Sequence, residues 1–143
     1  MTTAQELRNK LAEARELLRA VIRDNSDYWE MGESDNWGPR RIAEHVIDNE
    51  NYFANAVASA MDARAVEPTL INAVTAELAL EIFAQVEEDT NRVYGYIEDG
   101  DIKKPAQILL GQGFEPTIGG AVDFAIWHLR DHVKQIETLP RVG

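Results

Sequence analysis

The sequence predicts an all-α fold, a four-helix bundle. Three observations carry that prediction: four stretches repeat apolar residues every three or four positions, helix caps and breakers punctuate them, and no alternating strand pattern appears. With 143 residues and 45% hydrophobic content, the chain suits one domain, spanning 1–143, with a core large enough to need no covalent staple.

The first helix is expected from Ala4 to about Asp24, where Leu7, Leu11, Ala14, Leu18, Val21 and Ile22 form a stripe between charged residues. Thr3 and Glu6 read as a capping box at its start. Asp24-Asn25-Ser26 weakens the helix, and residues 31–38, rich in Gly, Ser, Asp and Asn, read as a connector. Pro39 then suits the first turn of a second helix. Its stripe of Ile42, His45, Val46, Asn49, Tyr52, Phe53 and Ala56 places His45 and Asn49 one turn apart on the inward side.

Residues 61–69 contain Pro68 and show no period, so they read as the link to a third helix. That helix is expected from about Leu70 or Asn72 to Ile97, with Val74, Leu78, Ile82, Val86, Val93 and Ile97 as its buried edge and Gly100 beyond its end. Residues 101–116 hold Pro105, Gly111, Gly113 and Pro116 around the apolar patch Ile108-Leu109-Leu110, a long loop of the kind that packs on a bundle end or covers a site. Thr117 suits the N-cap of a fourth helix, whose stripe is Ala121, Val122, Ala125, His128, Leu129, His132, Val133 and Ile136.

All three histidines of the chain therefore fall on inward stripes, and His128 and His132 stand at the i, i+4 spacing that projects two rings from one face. Three separately buried imidazoles need three sets of hydrogen-bond partners, whereas one divalent cation satisfies a nitrogen of each. His45, His128 and His132 are therefore the expected metal ligands. Asn49, Glu50, Asp131 and Gln135 are the candidates to support them, and Trp37, Tyr52, Tyr94 and Trp127 the aromatic candidates for a pocket wall.

His45 lies early in its helix and His128 and His132 late in theirs, so equal depth requires helices two and four to run antiparallel. Up-down-down-up topology supplies this, with a long crossover through residues 61–69 or else through 101–116. Imidazole ligands favour zinc, nickel, cobalt or iron(II) over magnesium or calcium, and three neutral nitrogens leave coordination positions open. The di-iron pattern fails because Ile42, Ala125 and Leu129 stand three residues before the histidines, and the zincin pattern fails because Leu129 follows His128.

Other classes are disfavoured by composition. A net charge of −11 repels nucleic acid, and the absence of cysteine removes thiol nucleophiles and sulfur ligands from the chain itself. The first residues lack a secretory signal and no apolar run reaches a membrane span, so a cytoplasmic protein without a membrane partner is expected.

Trp37-Gly38-Pro39 with Ile42, His45 and Glu50 resembles the W-s-x-x-x-I-x-x-H-L-x-x-x-E opening of helix two in the DinB/YfiT-like superfamily, with Val46 in place of the commoner leucine. Thr117-Ile118-Gly119 followed by His128, His132, Gln135 and Ile136 is similar to that family's t-v-g and H-x-x-x-H-x-x-Q-I. The resemblance implies an up-down-down-up bundle, often dimeric, that binds a divalent metal, zinc or nickel first, through His45, His128 and His132. It further implies thiol S-transferase chemistry with a low-molecular-weight thiol and a small-molecule substrate. Hydrolysis by metal-activated water is the enzyme alternative, and a noncatalytic, stress-associated metal-binding bundle is the other. Composition alone singles out no anion-binding site for a sugar-acid thiol.

Overall fold

The computed structural model describes residues 2–108 and 113–140, and among them helix is the only regular element longer than a turn. Four α-helices form: α1 (Ala4–Asp24), α2 (Pro39–Ala60), α3 (Ala76–Tyr94) and α4 (Ile118–Glu137). Leu109, Leu110 and Gly111, part of the sequence's loop reading, lie outside the described residues.

α1 starts where its cap residue predicts. The Thr3 hydroxyl accepts from Glu6 N at 3.1 Å, and every residue of the expected stripe is buried. Each leucine on that stripe contributes roughly 1.5–3 kcal/mol through the apolar surface it removes from water. α2 begins with Pro39 at its first turn and Gly38 at its N-cap. A side chain at Gly38 would collide with the Met31 backbone, so glycine permits the connector to pass against the helix start.

The directions of the helices follow from their contacts. Arg8 donates to Tyr94 O and Ile97 O at 3.1 and 2.9 Å, and Arg19 Nη1 lies 3.0 Å from Glu87 Oε1, so α1 and α3 are antiparallel. Lys10 faces Asp123 and Glu13 faces Arg130, which makes α4 parallel to α1. Phe53 packs on Phe124 and His128 while His45 packs on His128 and His132, which makes α2 antiparallel to α4. The topology is up-down-down-up. α1 packs between α3 and α4, as does α2 on the opposite side, leaving α1 and α2 diagonal to each other.

Because α2 and α3 run parallel, the link between them must return along a helix of 22 residues, roughly 33 Å at about 1.5 Å per residue. Residues 61–75 make this crossing, so the first of the two expected crossovers is the one formed. It is pinned along its length. Asn55 exchanges two hydrogen bonds with the Val66 backbone, at 3.0 and 2.7 Å, Trp29 Nε1 donates to Ala73 O at 2.8 Å, and Ala73 N donates to Glu44 Oε2 at 2.8 Å.

Those last contacts correct the expected start of the third helix. The backbone of Ala73 is used in cross-links to Trp29 and Glu44, so the helix begins after the Thr75 cap, whose hydroxyl accepts from Leu78 N at 3.0 Å. It also ends earlier, at Tyr94 before Gly95, although Ile97 remains buried. Its buried face is Ala76, Ala79, Phe83, Val86, Thr90 and Val93; Val74 is exposed and Leu78 and Ile82 are half-buried, so the expected edge was rotated by about one residue at its amino-terminal half. In α2, likewise, Tyr52 is exposed, and Ala43, Ile47, Glu50, Ala54 and Val57 complete a helix buried nearly all round.

The loop before α4 folds back on itself. Ala106 N donates to Pro116 O at 3.0 Å and Ile118 N to Lys104 O at 2.9 Å. The Thr117 hydroxyl caps α4 by accepting from Gly120 N at 3.0 Å, as expected. Among the described residues, no helix is long and apolar enough to cross a membrane.

Candidate metal centre

α2 and α4 bring all three histidines to one level of the bundle. Ring centroids lie 5.3 Å apart for His45 and His128, 5.0 Å for His45 and His132, and 4.4 Å for His128 and His132. One nitrogen from each ring can be chosen so that all lie within 4.8 Å of one another. Nitrogens on a shared tetrahedral zinc lie about 3.3 Å apart, given bonds of roughly 2.0–2.1 Å, so the three rings would have to draw together by up to about 1.5 Å to share one ion. The geometry fits a first-row divalent cation.

Two neighbours orient the rings. Gln135 Oε1 sits 2.7 Å from His132 Nδ1, an arrangement in which Nδ1–H donates to the amide and Nε2 keeps its lone pair. Asn49 Nδ2 donates to His45 O at 2.7 Å and lies 3.2 Å from His45 Nδ1. Apolar walls close two sides, Trp37 edge-on to His45 at 5.6 Å and Phe53 edge-on to His128 at 5.3 Å. Phe53 was placed on the inward stripe by its spacing, but nothing in the sequence marked it as a neighbour of the histidines.

The electrostatics favour unprotonated rings at His45 and His128. Burial first, and then the neighbouring His132 and His45, hold His128 down to about 3. Burial and His132 also lower His45, with Asp48 opposing. Neutral imidazole is the form that binds metal, so little proton competition is expected near neutral pH. His128 Nδ1 is buried without a hydrogen-bond partner, a cost of about 1–3 kcal/mol that a bound cation on that ring nitrogen would remove.

The other sequence candidates are placed elsewhere. Glu50 points across the core from the histidines: its Oε1 accepts from Arg15 Nε at 2.8 Å, and both side chains are fully buried. Arg15 also donates to Asn91 Oδ1 at 2.7 Å and Thr90 Oγ1 at 2.8 Å, with its guanidinium 5.5 Å from the centre of the Tyr94 ring. Burial pushes the Glu50 carboxyl up, against the pull of Arg15. Asp131 is exposed on α4 and makes no hydrogen bond or ion pair with the described residues. Among the aromatic candidates, Trp37 lies at the histidines, Tyr94 belongs to the Arg15 cluster, Tyr52 packs on Phe53, and Trp127 is half-exposed beside Phe114 and Phe124.

A cavity of about 380 Å³ opens beside His45, lined by Trp37, Arg41, Glu44, Asp48 and residues 69–71 of the crossover link. His45 is thus reachable from solvent on the α2 side. No family model, curated protein or solved structure matches the chain.

Proposed function

We propose that the protein is a metal-dependent enzyme in which His45, His128 and His132 hold one divalent transition metal, zinc or nickel before iron or cobalt. The single observation that carries this reading is the convergence of three half-buried imidazoles from two helices beside a solvent-reachable cavity. When bound, such an ion lowers the pKa of a coordinated thiol or water. The leading reaction is thiol-dependent S-transfer to a small electrophile, as the DinB/YfiT-like resemblance implies. A chain without cysteine requires the thiol to come from a low-molecular-weight partner.

In this reading the chain's own residues act by position. Gln135 fixes the tautomer of His132, Asn49 steadies His45, and Trp37 and Phe53 exclude water from two sides of the cluster. Three protein ligands leave positions for exchange, which favours catalysis over a purely structural ion. The reading places the enzyme in the cytoplasm, with a homodimer as the assembly that the resemblance implies.

Hydrolysis is the second reading, favoured by Asp48, a carboxylate with no ion-pair partner among the described residues that lines the cavity beside His45 and would serve as its proton acceptor. Turnover of model electrophiles with and without added thiol, in metal-loaded and chelator-stripped protein, separates the readings. S-transfer predicts metal-dependent consumption of thiol; hydrolysis predicts metal-dependent turnover that thiol does not change. Metal binding without turnover or ligand exchange would leave a noncatalytic metal-binding bundle.

A further inference from the structure

We infer that the cavity beside His45 takes a small ligand bearing a carboxylate, and that Arg41 is the residue that recognises it. This rests on the metal reading above and adds the chemical class of the ligand. Arg41 lines the cavity together with Trp37, His45 and Asp48. Its guanidinium lies 4.7 Å from the centre of the Trp37 ring, and its one hydrogen bond among the described residues is a long contact of 3.4 Å to Ser34 O.

Among the described residues no carboxylate pairs with it, although the chain carries 25 acidic residues against 14 basic ones. Its sequence neighbour shows the contrast. Arg40 is saturated by Glu30 at 2.7 Å, Glu44 at 3.2 Å and Asn72 at 2.7 Å. Arg41 therefore presents a cation whose planar fork of donors suits a carboxylate, and stacking on Trp37 limits the freedom lost when one binds.

The register on α2 sets the ligand's length. Arg41 and His45 are one turn apart on the same face and share the Trp37 ring, Arg41 at 4.7 Å and His45 at 5.6 Å from its centre, so a ligand that reaches both is a short one such as a small mercapto acid. The acidic wall fixes the orientation. Glu44 is committed to Arg40 and to Ala73 N, while Asp48 stands beyond His45 at the end of the face away from Arg41 and repels an anion there.

The test compares 3-mercaptopropionate with its neutral counterpart 3-mercaptopropionamide, titrated into the full chain loaded with Co²⁺ and followed by the sulfur-to-cobalt absorption band. Wild type is expected to bind the acid about tenfold more tightly than the amide. Arg41→Gln is expected to reduce that preference to within twofold, with its thiol-free cobalt spectrum and its affinity for the amide unchanged. Equal affinities for the two thiols in wild type, or a preference that survives Arg41→Gln, would overturn the role of Arg41 while leaving the metal reading in place. No cobalt bound with nitrogen ligands would overturn that reading and this inference together, whereas bound cobalt that responds to neither thiol would overturn this inference and S-transfer while leaving the metal in place.

Discussion

Gln135 touches none of the expected open positions, yet its amide oxygen decides which nitrogen of His132 is free to bind an ion. Removing such a partner typically weakens metal binding by 10- to 100-fold, so Gln135→Ala is expected to raise the zinc Kd by about that factor while the fold persists, as read by competition with a chromogenic chelator. The Arg15–Glu50 pair is the other residue-scale feature with a large expected effect. Glu50→Ala strands a buried guanidinium and is expected to cost about 3–5 kcal/mol in urea denaturation, whereas the double change Arg15→Met with Glu50→Met should restore most of that loss. A double variant no more stable than Glu50→Ala would show that the pair is needed for more than charge balance. Both residues occupied positions of apolar spacing, Arg15 four after Leu11 and Glu50 four after Val46, so their burial was signalled by register and masked by residue type.

At the scale of elements, the crossover link between α2 and α3 does the positioning. By letting α3 run parallel to α2, it gives the fold its antiparallel α2–α4 pair and so brings an early histidine level with two late ones. The Asn55 clamp on Val66 holds that link through both amide groups. Asn55→Ala is expected to lower stability by about 1–3 kcal/mol in thermal denaturation and to leave bound metal stoichiometric, because the clamp lies far along α2 from His45. Loss of metal in that variant would tie the link directly to the site. Helix existence, the caps at Thr3 and Thr117 and the proline start of α2 were legible in the sequence because each depends on a few adjacent residues. The ends and face of α3 were not. Its start is set by cross-chain bonds from Trp29 and Glu44 to Ala73, and its face is filled by Ala79 and Thr90, residues of weak hydrophobic signal, while more apolar Leu78 and Ile82 sit at the margin.

For the whole molecule, the histidine cluster links stability to pH. His45 and His128 resist protonation in the folded state, whereas the unfolded chain takes up those protons at the ordinary histidine value near 6.5. Their folded pKa values are depressed, so their neutral burial is tolerated above about 6.5 and the folded state loses stability as pH falls from there toward 3. Chelator-stripped wild type should therefore lose more melting temperature between pH 7 and pH 5 than His128→Gln does; equal losses would place the rings in contact with water. The convergence of the three histidines was legible in the sequence, because i, i+4 spacing and inward stripes survive without coordinates. Of the cavity wall only Trp37 was, since Arg41 acquires its relation to the crossover link through tertiary packing alone. The central claim, that these rings hold one cation between them, is tested most directly by elemental analysis of untagged protein, wild type beside His128→Ala. Near-stoichiometric transition metal in wild type and a large loss in the variant is the predicted result; metal absent from the wild type even after loading, or equally abundant in both, would contradict it.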